Sequence, residues 1–170
     1  MVNEKFLDVE VNMRKLKLYL DTSVISYLRA EDALEKMNIT NRLWTQIQHG
    51  KYKVCLSDMV FKELSNCFED KRLYMMEKLA DIEFDVFEIT EETKDLANMY
   101  IKAGAFTDKH IEDALHVASA SVNTCNAVVS WNFKHIVKLT AMLLVNGVKR
   151  QEGYKEIEIV SPEVLMEEGE

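Results

Sequence analysis

Proline and glycine are scarce here, with one proline and five glycines in 170 residues. That leaves little chain for linkers, and no shift in composition marks a second domain. No apolar run approaches the length of a membrane-spanning helix. Cysteine is sparse: Cys55, Cys67 and Cys125 are odd in number and form no C-x-x-C pair. This argues against a disulfide framework or a thiolate zinc site, and the three read as small buried hydrophobes. The four histidines, His49, His110, His116 and His135, show no H-E-x-x-H or comparable ligand spacing. Neither G-x-G-x-x-G nor a P-loop occurs, which disfavours a nucleotide-binding enzyme. The first residues, MVNEKFLDVEVNMRKLK, lack the basic-then-apolar pattern of a signal peptide. A cytoplasmic location and no membrane partner are the expectation.

Positive charge is also short, at a net −8. Chains that grip nucleic acid mainly through its phosphates are usually basic. The deficit counts against non-specific, high-affinity binding. It does not exclude a nuclease, because clustered carboxylates can hold divalent cations that carry the phosphate contact.

What is present is a soluble-domain composition, 48% hydrophobic and 29% charged, long enough for one core. Residues 1–12 read as an acidic N-terminal extension and 13–170 as a single domain. The organising stretch is LKLYLDTSVISY, from Leu16 to Tyr27. An apolar strand ends on Asp21, followed by Thr22, Ser23 and a helical start. Further strands are expected at 52–56, 84–89, 127–130 and 156–160. Helices are expected at 31–49, 58–68, 70–80, 91–103, 108–123 and 133–146, with a final turn at 162–167. Strands alternating with helices imply an α/β fold with a mostly parallel sheet.

In open α/β sheets ligands sit outside the carboxyl ends of the strands, where Asp21 stands. The plainer reading is that Asp21 or Thr22 caps the next helix. Ser57 reads as the N-cap of the 58–68 helix, whose stripe is Val60, Leu64, Cys67 and Phe68, with Glu63 at its border. In the 70–80 helix Leu73, Met76, Leu79 and Ala80 point inward. Asp113 flanks the apolar face of the 108–123 helix, while Glu112, His116 and Ser119 lie on its more polar side. The fourth strand ends near Trp131 and Asn132, with Trp131 and Phe133 expected to anchor that end in the core. Right-handed crossovers allow Asp21, Glu63, Asp113 and Asn132 to meet at a topological switch point. Three carboxylates and an amide suit Mg²⁺ or Mn²⁺. An ordinary surface acid remains the plainer reading of Asp113.

LYLDTSVISYL, LSDMVFKEL, HIEDALHVASA and VVSWNFKHI, in this order, resemble the successive motifs of PIN-domain ribonucleases, closest to VapC-type toxins of type II toxin–antitoxin systems. The likeness covers nearly the whole chain, from Lys15 to Pro162. It implies a three-layer α/β/α sandwich with a sheet of about five strands. It also implies a Mg²⁺- or Mn²⁺-dependent endoribonuclease leaving 5′-phosphate and 3′-hydroxyl ends, a cognate antitoxin and a homodimer. By this likeness Asp21, Glu63 and Asp113 match the metal-binding acids, and Thr22 or Ser23 the hydroxyl beside the metal. Asn132 stands where many members carry another Asp. His116 and Trp131 take mainly structural roles.

RNA is the expected substrate. Lys109, Lys134, Lys138, Lys149 and Arg150 could line its approach, most of them being ordinary solvated charges. The alternatives are a PIN nuclease of RNA processing or quality control, and a non-cleaving PIN-like RNA- or protein-binding domain. A phosphatase of the haloacid dehalogenase type fits less well, because the second acid of its D-x-D would fall on Ser23.

Overall fold

The computed structural model describes residues 15–166. The expected extension, 1–12, lies outside the described residues, as do 13, 14 and 167–170. Strand β1 (Lys17–Leu20) turns Leu18 and Leu20 to one side and Tyr19 to the other, all fully buried. A strand covered on both faces reads as this kind of continuous apolar run. The Asp21 carboxylate then accepts the amides of Ser23 and Val24 and caps α1 (Thr22–Ser26). The helix-cap reading therefore holds, and it fixes where this carboxylate sits.

The chain continues as α2 (Leu34–Gln48), β2 (Lys53–Ser57), α3 (Asp58–Ser65), α4 (Glu69–Ala80), β3 (Phe84–Phe87) and α5 (Glu91–Lys102). A 3-10 turn, Asp108–His110, runs into α6 (Ile111–Val122). Then follow β4 (Ala127–Val129), α7 (Leu139–Glu152), β5 (Glu158–Val160) and a 3-10 turn, Pro162–Leu165. The sheet order is β3-β2-β1-β4-β5, and every pairing is parallel. The chain steps from β1 out to β3, then returns to β4 and β5 on the other side of β1. The switch point thus lies between β1 and β4, and the crevice outside their carboxyl ends is where such sheets bind ligands.

Helices α1 to α4 pack on the face carrying Leu18 and Leu20, and α5 to α7 on the face carrying Tyr19. This is the expected three-layer α/β/α sandwich. None of the described helices is long and apolar enough to cross a membrane.

Several local expectations are corrected. Helix α2 starts at Leu34, three residues later than expected, and leaves Leu34 exposed. Ser57 takes the extended backbone of an N-cap, but its hydroxyl makes no cap bond. It meets the Tyr19 hydroxyl at 2.7 Å instead. Helix α3 stops at Ser65, so Phe68 leaves its stripe and is 91% exposed. In α4 the buried pair is Met75 and Leu79, while Leu73, Met76 and Ala80 face outward. The helix touches the core along one narrow i, i+4 line, which an apolar count overstates.

The helix expected at 133–146 begins only at Leu139. Asn132 takes up the following amides: its side chain accepts from His135 N–H at 2.9 Å, and its carbonyl from Ile136 and Val137. Such side-chain bonds compete with helix formation. Trp131 is buried, but Phe133 is exposed and does not anchor the strand end. Finally, Glu112 is exposed as expected, yet His116 and Ser119 are buried. Helix α6 lies between the sheet and α5, so both of its sides are covered.

Candidate active site

Two strand ends are tied together first. Asp21 follows β1, and its backbone N–H reaches the Val129 carbonyl of β4 at 3.2 Å. Its Oδ1 accepts the amides of Ser23 and Val24 at 3.1 and 3.4 Å and the Ser23 hydroxyl at 2.5 Å. Its Oδ2 accepts the Ser130 hydroxyl at 2.7 Å. Ser23 and Ser130 in turn accept the backbone N–H groups of Trp131 and Asn132, at 2.8 and 2.9 Å. Two short hydroxyl side chains thus lace the carboxyl ends of β1 and β4. Asp21 is fully enclosed, and desolvation raises its pKa despite His116 and the Ser23 and Ser130 hydroxyls, which favour the anion.

Helix α3 delivers Glu63 from the opposite side. The Thr22 hydroxyl donates to Glu63 Oε2, and His116 Nε2 lies 3.1 and 3.3 Å from the two carboxylate oxygens. Burial pushes the Glu63 carboxyl up, but the His116 hydrogen bond and charge, with Thr22, outweigh it and hold the pKa below its ordinary value. Burial likewise opposes charge on His116, and the Glu63 hydrogen bond and charge, with Asp21 and Asp113, outweigh that and raise its pKa. His116 Nδ1 meets the buried Tyr19 hydroxyl at 2.7 Å, which continues to Ser57. A protonated His116 donates on both edges, to Glu63 and to Tyr19.

Asp113 comes from the first turn of α6. Asn132 Nδ2 donates to its Oδ1 at 3.2 Å, and His110 Nδ1 stands 3.8 Å from its Oδ2. Desolvation raises the Asp113 pKa; His135, His116 and His110 pull it down, and the Asp21 charge adds to the rise. The His110 and His135 rings stack with centroids 3.6 Å apart. Burial and the charge of His110 lower the pKa of His135.

The structure thus links Asp21, Thr22, Ser23, Glu63, Asp113 and Asn132 near the carboxyl ends of β1 and β4 through hydrogen bonds, with Ser130 and His116 among the intermediaries, and through charge effects. Among the described residues, the carboxylates of Asp21, Glu63 and Asp113 do not close as a trio to within 4.8 Å; His110, Asp113 and His135 do. The donor set still fits a hard divalent cation. It is all oxygen, and among the described residues Asp21 Oδ2 has a single donor, leaving a lone pair for a ligand.

Lys109, Lys134 and Lys138 are exposed on the segments that carry the two stacked imidazoles. Lys149 and Arg150 do not line this approach. Lys149 is buried near Lys17 and Asn126 at the amino end of the sheet, where burial lowers its pKa to about 8, and Arg150 pairs with Glu156.

Reading by residue type missed Ser130, His110 and His135, and gave His116 only a structural role. Each carried a signal. Ser130 closes the β4 strand as Asp21 closes β1, and His110 and His135 stand three positions from Asp113 and Asn132.

No protein-family model matches the sequence, and no curated protein does. Solved structures do match in fold. A chain in the crystal structure of VapBC2 from Rickettsia felis, bound to a DNA fragment from its promoter, aligns with a TM-score of 0.54 and 9% identity, covering 86% of this chain and 98% of that one. The fold is PIN-like. VapC20 of Mycobacterium tuberculosis, described as a sarcin-ricin loop cleaving toxin, aligns with a TM-score of 0.49 and 16% identity over 82% of this chain and 98% of that one. In this PIN-like sheet Asp21 stands at the switch point, and its charge reaches Asp113.

Proposed function

We propose that the chain is a divalent-metal-dependent endoribonuclease, the toxin of a toxin–antitoxin pair, with Asp21, Glu63 and Asp113 holding Mg²⁺ or Mn²⁺. The observation that carries this reading is the buried Asp21 carboxyl at the switch point of a PIN-like sheet with the half-buried Asp113 near it, where burial raises both pKa values and the Asp21 charge adds to the rise at Asp113. A buried anion beside another anion is stabilised by a cation. A bound divalent cation would supply Lewis acidity and an activated water at the phosphodiester.

The protein's own groups have distinct tasks. Ser23 and Ser130 fix the Asp21 oxygens, and Thr22 and His116 fix those of Glu63. Among the described residues Asp113 Oδ2 has no hydrogen-bond donor, and the raised pKa of this carboxyl suits it to accept a proton. Exposed Lys109, Lys134 and Lys138 offer phosphate contacts beside the crevice. An unstacked RNA segment can reach such a site more readily than a duplex.

The Rickettsia felis neighbour belongs to a VapBC2 assembly, and exposed Phe68, Leu73 and Met76 offer this chain an apolar surface for an antitoxin or a second copy. The test is cleavage of RNA by metal-stripped protein, with and without added Mg²⁺ or Mn²⁺, for wild type and Asp21→Asn. Cleavage should require the cation, stop with EDTA, and fall at least about a hundredfold in the variant. Equal cleavage by both proteins would refute the assigned site.

A further inference from the structure

The two stacked imidazoles beside Asp113 have no part in the nuclease reading. His110 and Asp113 are three residues apart at the start of α6, and His135 comes from the turn after β4. One ligand atom from each of the three lies within 4.8 Å of the others, and all three residues are half-buried. We propose that His110, Asp113 and His135 form a site for a divalent first-row transition cation, of the zinc type, with two imidazole nitrogens and one carboxylate oxygen. It goes beyond the nuclease reading, with which it shares Asp113, and its histidine ligands are read without that reading.

Spacing supports this assignment. Two donors on one zinc ion, each at about 2.1 Å, stand about 3.4 Å apart at the tetrahedral angle and at most about 4.2 Å. His110 Nδ1 and Asp113 Oδ2 are 3.8 Å apart, inside that range and too far for a hydrogen bond. The remaining gap closes with small side-chain rotations. The stack, with ring centroids 3.6 Å apart, sets the second imidazole beside the first. Unprotonated imidazole is the form that binds a metal.

The ligands are also held from behind. Asn132 donates to Asp113 Oδ1, leaving Oδ2 toward His110, and its own Oδ1 accepts the His135 backbone N–H. One amide side chain therefore orients the carboxylate and the turn that carries the second imidazole. Such outer partners are a usual part of metal sites. Two nitrogen donors disfavour Mg²⁺ and suit Zn²⁺ or its probe Co²⁺. Three protein ligands leave a fourth position open, as in zinc sites that bind water or substrate.

The full chain, stripped of metal, is titrated with Co²⁺ and then with Zn²⁺ in competition, and X-ray absorption at the zinc edge counts imidazole ligands. The expected result is one site with about two imidazoles. His110→Ala and His135→Ala should each weaken zinc binding by at least about tenfold, the smaller effect of losing even an outer partner. His135→Gln serves if the alanine variant misfolds, and the wild-type absorption spectrum is independent of any variant. A zinc spectrum with only oxygen ligands, or equal zinc affinity in wild type and the histidine variants, would overturn the site. The histidine ligands are read from zinc binding alone, so this proposal can fail while Mg²⁺-dependent cleavage stands, and the reverse.

Discussion

His116 Nε2 stands 3.1 Å from Glu63 Oε1, and this pair supplies a positive group amid three acids. The imidazole is buried, whereas about a quarter of the Glu63 side chain (26%) remains exposed. His116 thus positions Glu63 from within the fold, while Glu63 keeps an edge toward the crevice.

The pair has a defined pH window. The Glu63 pKa is lowered, so its contribution is present above the ordinary value of about 4.3 and is lost as pH falls through the lowered one. The His116 pKa is raised, so its contribution is complete below about 6.5 and is lost as pH rises through the raised one. Between those ordinary values both contributions are present. His116→Gln should cost about 1–3 kcal/mol there, and less at either extreme. Denaturant unfolding of both proteins across pH measures this; a penalty independent of pH would rule out the charged pair.

Asp21→Asn should separate stability from activity. Burial raises the Asp21 pKa, so the folded protein binds the proton more tightly than the unfolded chain. Stability therefore falls as pH rises from the ordinary Asp range through the raised value. Asparagine caps a helix as well as aspartate, and its amide can donate to the Ser130 hydroxyl. The variant should melt higher than wild type near pH 7, and the gain should vanish in acid, where Asp21 is protonated. A lower melting temperature at pH 7 would mean that the negative charge supports the fold.

Ser130→Ala removes the one donor to Asp21 Oδ2 among the described residues and the acceptor for Asn132 N–H. The loss should cost about 1–3 kcal/mol of stability. Divalent-cation affinity should fall about 10- to 100-fold, the range for losing an outer partner. Calorimetric metal titration, alongside melting, checks both.

Asn132→Ala should weaken metal binding within the same about 10- to 100-fold range while leaving the sheet intact. Asn132→Asp keeps an acceptor for His135 N–H but replaces the donor to Asp113 with a like charge. Without metal that charge should lower stability; with metal it should tighten binding and keep cleavage within about tenfold, about 1.4 kcal/mol of barrier. A hundredfold gain in cleavage from a near-zero start would mark the natural chain as a weakened nuclease and favour a binding role.

Local chemistry determined the layer structure from sequence alone. Leu18, Tyr19 and Leu20 must be covered on both faces, Asp21 must follow the strand, and alternating strands and helices leave a parallel sheet as the economical solution. The order in which Asp21, Glu63, Asp113 and Asn132 arrive was legible for the same reason: each sits at a strand end or at the border of a helix's apolar face. Only tertiary structure decided how these groups are used. His116 lies on a helix face that periodicity marks as polar, and it is buried because α5 and the sheet cover both sides of α6. Ser57 has a cap's sequence, yet its hydroxyl turns to Tyr19, a neighbour 38 residues away in the chain. His110 and His135 stack although 25 positions separate them, because the switch point sets the start of α6 beside the end of β4. Periodicity reports which side of an element is apolar; it carries no information on which distant polar groups the packing sets face to face.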